Sequence, residues 1–88
     1  MASRIKNCRN HFRYRLSQRF KIKRADARGI EETLMQRLFL GTLNFLKEDM
    51  DTIKVWFPEL HRKCVVIFDK QKNVFITGYK RNNIKYSI

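Results

Sequence analysis

An α+β fold, two N-terminal helices packed on a four- to five-stranded antiparallel meander sheet, follows from three features of the sequence. Apolar residues recur with helical period through the first 40 positions, the pattern turns to strand-like alternation after Gly41, and turn-forming residues then break it at short intervals. With 88 residues the chain reads as one domain, 1–88, whose core is necessarily small.

Residues 3–20 read as the first helix. Ile5, Cys8, Phe12 and Leu16 make its apolar stripe, and Ser3 is a suitable N-cap. Lys6, Arg9 and Arg13 fall to one side of the stripe, and Arg4, His11, Arg15 and Gln18 to the other. His11 and Arg15 are i,i+4 neighbours at the border of the stripe. Residues 21–24 (KIKR) form a basic connector. The second helix is expected over 26–40, capped by Asp26, with Glu31 and Glu32 placed early to complement the helix dipole. Ile30, Leu34 and Leu38 form its stripe with Met35 beside them, and Gly41 is the natural C-cap.

Strands are expected at 42–46, 51–57, 63–69, 74–81 and 84–88. The second alternates cleanly, with Ile53, Val55 and Phe57 on one face and Lys54 and Trp56 on the other, until Pro58 ends it. The third and fourth are the apolar arms of a hairpin around the polar stretch 69–73 and belong in mid-sheet or under cover on both sides. Asn82-Asn83 is a two-residue turn into the last strand.

Charge carries the strongest functional signal. The net charge is +12, and residues 1–28 contribute +9 of it, with ten basic residues against Asp26 alone. So one-sided a distribution implies a polyanionic partner, nucleic acid first and an anionic membrane second. Cys8 and Cys64 belong to no zinc or CxxC spacing and read as buried thiols. No signal peptide and no bilayer-length apolar run is present, so the cytoplasm is the default location. Two isolated histidines give no metal site, isolated glycines give no phosphate-cradling loop, and no Ser/His/Asp spacing is recognisable. No cofactor is expected.

The remaining chemistry-bearing residues suit ribonucleolytic transesterification, in which a ribose 2′-OH attacks its own 3′-phosphate. That reaction needs a base, an acid and cations around the phosphorane. His11 fits the acid or base role, Arg15, Lys80 and Arg81 supply cations, and Tyr79 can stack on a base or assist proton transfer. Arg9, Arg13, Lys21, Lys23 and Arg24 form a phosphate-binding face.

The order of these pieces resembles the RelE/barnase/colicin-type ribonuclease superfamily, in particular its small phage- and plasmid-borne members. The pieces are His11 with Arg15, then Trp56 and Leu60, then Val65-Val66-Ile67-Phe68-Asp69-Lys70 with Lys72, then Phe75-Ile76-Thr77 with Tyr79. The resemblance covers most of the chain as an order of elements, and the VVIFDK…ITGY hairpin is its most specific part. It implies a metal-independent endoribonuclease whose helix His, strand cations and last-strand Thr or Tyr correspond to His11, Arg15, Lys54 or Lys63, Thr77 and Tyr79. It also implies RNA as partner, with ribosome and tRNA among the candidates, and an antitoxin or other protein as a second kind of partner. A non-catalytic nucleic-acid-binding protein, such as a phage regulator, and an inhibitor docking on another protein's nucleic-acid channel remain alternatives. The nuclease reading requires the basic first helix and the last strands to meet in one cleft, with His11 and Tyr79 sharing it.

Overall fold

The computed structural model describes residues 2–81, with side chains from residue 9 onward. Helices α1 (Ala2–Phe20) and α2 (Arg24–Leu40) are followed by strands β1 (Asn44–Glu48), β2 (Thr52–Trp56), β3 (Cys64–Asp69) and β4 (Val74–Lys80). The strands form one antiparallel sheet in the order β1-β2-β3-β4, a meander as expected. The expected strand at 84–88 and the side chains of Ser3, Ile5 and Cys8 lie outside the described residues.

α1 carries six basic residues and no acidic one, so beyond Arg19 in its last turn neither the dipole nor the charge pattern supports it. Packing holds it instead. Phe12 and Leu16 are fully buried, with the Phe12 ring 5.6 Å from Phe75, which stacks edge-on against Phe68 at 5.0 Å. Each such burial is worth about 1.5–3 kcal/mol. α1 runs parallel to β4: Phe12 meets Phe75, Leu16 meets Gly78, and Phe20 lies under Lys80. Gly78 makes the close approach feasible, because a Cβ there would stand 2.6 Å from Leu16 Cδ2.

The sheet's helix-side face carries Ile53, Val55 and Phe57, then Cys64, Val66 and Phe68, then Phe75. Burial pushes the Cys64 thiol up to about 12. The opposite face carries Lys54 and Trp56, Val65 and Ile67, and Thr77 and Tyr79, as the register Lys54↔Ile67↔Thr77 and Trp56↔Val65↔Tyr79 requires. Ile76 is the extra residue of a bulge, since Phe68 pairs with Phe75 but Ile67 with Thr77. The β3–β4 turn is built as its residues suggest: Asp69 Oδ1 accepts from the Gln71 and Lys72 amides, and Asn73 takes the left-handed conformation at φ 57.

Three expectations need correction. α2 is capped by Lys23, which is extended and makes no side-chain capping bond, and Asp26 lies inside the first turn. The helix therefore starts three residues earlier than an Asp26 cap demands, its N-terminal amides unsatisfied by any cap side chain. The first strand is shifted to Asn44–Glu48, because Gly41 at φ 72 and Thr42 close α2 by bonding back to Leu38 and Arg37, leaving Thr42 and Leu43 outside the ladder. Glu31 does not serve the dipole from the surface. It is buried at 5% exposure, on the same stripe as Ala27 and Leu34.

Candidate functional site

Side chains of α1 divide between two flanks, one overhanging the outer edge of β4 and one turned toward α2. On the β4 flank, His11, Arg15 and Arg19 follow one another at intervals of four residues. Arg15 Nε donates to His11 Nε2 at 3.1 Å. That bond places the imidazole proton on Nδ1 and leaves both Arg15 Nη groups outside this contact. Arg19 Nη1 donates to Gly78 O at 2.8 Å and to Thr77 Oγ1 at 3.3 Å. Arg19 thus reaches round the sheet edge to the one expected β4 residue this flank touches.

Tyr79 is two residues further on, paired with Val65 on the face turned away from α1. α1 and β4 therefore meet, but Tyr79 and His11 project from opposite sides of the sheet. Lys54 shares the far face and lies beside Lys47 across the β1–β2 ladder. Lys80 stands 5.6 Å over the Phe20 ring at the C-terminal end of α1, and Arg81 follows it, its amide bonded to Lys63 O at 2.8 Å.

On the α2 flank the arginines are tied down. Arg13 donates through Nε and Nη2 to Glu31 Oε1 at 2.9 and 2.6 Å. Glu31 Oε2 is buried without a hydrogen-bond partner among the described residues. Nearby, Arg24 lies 5.5 Å over the Tyr14 ring, and Arg28 faces Glu32 at 3.6 Å with both side chains about two-thirds exposed. Lys21, at φ 53, and Lys23 complete the basic connector, both exposed. Arg9 is exposed beside the same groove.

His61 is absorbed into the β2–β3 loop. Its Nδ1 accepts from the Lys63 amide at 3.0 Å and its ring lies 6.1 Å from Phe20. Among the described residues no group of three or more His, Cys, Asp or Glu is arranged to hold a metal ion, and no helix is long and apolar enough to cross a membrane.

The sequence reading passed over Arg19, Arg28 and Tyr14, and gave Glu31 to the helix dipole rather than to Arg13. Arg19 was detectable as the third member of the 11-15-19 row, and Arg28 as the i+4 neighbour of Arg24. Glu31 was detectable only by preferring the 27-31-34 stripe, which a charged residue argues against.

Fold and site together define a small, strongly basic α+β domain whose arginines line both flanks of its first helix. No family model, no curated protein and no solved structure matches the chain.

Proposed function

We propose that this protein binds RNA and cleaves it without a metal ion, as a toxin-like relative of the RelE/barnase/colicin-type ribonucleases. The shared His11–Tyr79 cleft expected from the sequence does not form, so this reading gives Tyr79 no part in the chemistry. The observation that carries it instead is the row His11, Arg15, Arg19 on the β4 side of α1, ending on Thr77. A phosphodiester laid along this row meets two guanidinium groups able to hold its oxygens bidentately. Arg15 turning from His11 to the phosphate releases Nε2 to take the 2′-OH proton. The 2′-oxygen then bonds to phosphorus, the P–O5′ bond breaks, and the 5′-oxygen leaves with a proton from the His11 imidazolium. Arg15 and Arg19 hold the charge that accumulates on the phosphorane. The site of action is the cytoplasm, that of the host if the gene is phage-borne, where ribosomes and tRNA supply targets and an antitoxin is a natural protein partner.

The test is incubation of purified protein with total RNA in excess EDTA, followed by mapping of the ends. Expected are 2′,3′-cyclic phosphate termini that vanish with His11→Ala. Binding with steep salt dependence but no products sinks the catalytic part. It leaves the second reading, a non-catalytic nucleic-acid-binding protein, which the separation of Tyr79 from His11 favours.

A further inference from the structure

The groove between α1 and α2 is a second feature of the surface, on the other side of α1 from His11. A cavity of about 250 Å³ is lined by Asn10, Arg13, Arg24, Ala25 and Arg28. A larger one of about 690 Å³ shares Arg13 and Arg28 with it and continues toward Met35, Phe39 and Phe75. The shared arginines make these two cavities one cleft with a polar end and a mixed end. Arg13, Arg24 and Arg28 line the polar end, Arg24 also over the Tyr14 ring and Arg28 facing Glu32, which with Glu31 lines the larger cavity. Arg13 is held in place by the buried Glu31, and its Nη1 takes no part in that pairing. At the mixed end Phe39 is 91% exposed, an aromatic ring left on the surface beside a basic groove.

We infer that this cleft is an RNA subsite distinct from the β4 edge: a phosphate of a single strand sits among Arg13, Arg24 and Arg28, and an unpaired base stacks on Phe39. Arginine forks match phosphate geometry, and an exposed aromatic ring beside a cationic groove is how proteins hold unpaired bases without reading sequence. The helical rise puts Phe39 about 16 Å beyond Arg28, so the base belongs to a nucleotide further along the same strand. Glu31 is a positioning residue, setting Arg13 in the cleft rather than touching the RNA. The inference rests on the RNA-binding part of the reading above and is independent of cleavage.

The experiment uses fluorescein-labelled 2′-O-methyl RNA, single-stranded and duplex, which binds but lacks the attacking hydroxyl. Anisotropy titrations at several salt concentrations compare the parent protein with Arg24→Ala/Arg28→Ala and Phe39→Ala, all at exposed positions. The double variant is expected to bind at least tenfold more weakly and to flatten the log–log salt slope by about 0.7–1.4, the loss of one or two phosphate contacts on a single strand. Phe39→Ala is expected to weaken single-strand binding roughly tenfold, to leave the salt slope unchanged, and to leave duplex binding within about twofold. Parent-like binding by both variants overturns the subsite while leaving RNA binding intact. Failure of the parent to bind either RNA overturns both readings, and equal loss on duplex and single strand by Phe39→Ala overturns the stacking assignment.

Discussion

Arg13 and Arg15 lie two residues apart on α1 and meet different physics. Arg13 turns toward α2, one-quarter exposed, against a Glu31 carboxylate that is 7% exposed. Arg15, one turn before Arg19 on the other flank, bonds an exposed histidine. Removing a charge from a buried pair strands its partner in a poor solvent, whereas removing one from a surface contact returns its partner to water. Loss of the Arg13–Glu31 pair, on the inner flank, should therefore register first in stability. Loss of the Arg15–His11 contact, on the outer flank, should register in cleavage rather than stability, although both contacts are built from an arginine on the same helix.

The largest expected effect breaks the inner flank. Glu31→Ala leaves Arg13 half-buried and unpaired. The cost should be about 3 kcal/mol, at the low end for buried pairs because Arg13 can turn partly to solvent. His11→Ala, on the outer flank, should cost under about 0.5 kcal/mol. Urea unfolding followed by Trp56 fluorescence measures both. Equal losses would show that the two flanks do not differ in kind.

Next in size is Gly78→Ala, which attacks the seat on which the outer flank depends. The added methyl would stand 2.6 Å from Leu16 Cδ2 and 3.3 Å from Val66 Cγ1, both on fully buried side chains. Overpacking of this kind costs about 1–3 kcal/mol, and relief by lifting α1 also draws Arg19 away from Gly78 O. Leu16→Ala in the same protein should recover part of the loss, since the two changes share one space. No coupling between them in a double-mutant cycle would mean that the helix is not seated there. Smaller again is Arg19→Ala, which removes two exposed or part-buried bonds to β4 and should cost about 1 kcal/mol by the same unfolding assay.

The elements of this comparison were unequally legible in the sequence. Phe12 and Leu16, Gly41, and the alternation of Ile53, Val55 and Phe57 announce themselves because period, turn chemistry and burial agree there. The row from His11 to Arg15 was readable from helical spacing alone. Glu31 was not, because charge predicts exposure unless a partner is known, and that partner lies 18 residues away on another helix. Phe39 hid in the run Leu38-Phe39-Leu40, where all three look like core. Only the packing of α2 decides that Leu38 joins the core while Phe39 and Leu40 stay on the surface. Tyr79 went to the far face through a strand parity that Gly78, facing Leu16, fixes.

A third arginine–glutamate pair sharpens the contrast from the exposed side. Arg37 clasps Glu59 with both Nη groups, Nη2 to Oε2 at 2.9 Å, and its guanidinium lies 5.6 Å over the Phe57 ring. The hydrogen bonds from Arg37 hold the Glu59 carboxyl below the usual carboxylate range; desolvation opposes them, and the charge of Arg37 adds a lesser lowering. A carboxyl lowered on folding stabilises the native state above its unfolded pKa, and that stabilisation is lost as pH falls through the folded value. Arg37 is shifted up by the same contact, so on the alkaline side the stabilisation is lost only in strong alkali, and on the acid side it is lost as Glu59 protonates. Because the pair is solvent-exposed, the effect is the smallest of the series and screened by salt. Melting curves of the parent and Glu59→Gln should differ slightly at neutral pH and low salt, and converge as acid titrates the carboxyl. A gap that persists unchanged into acid would mean that the clasp works by holding Arg37 flat on Phe57, making it a packing contact like the inner flank.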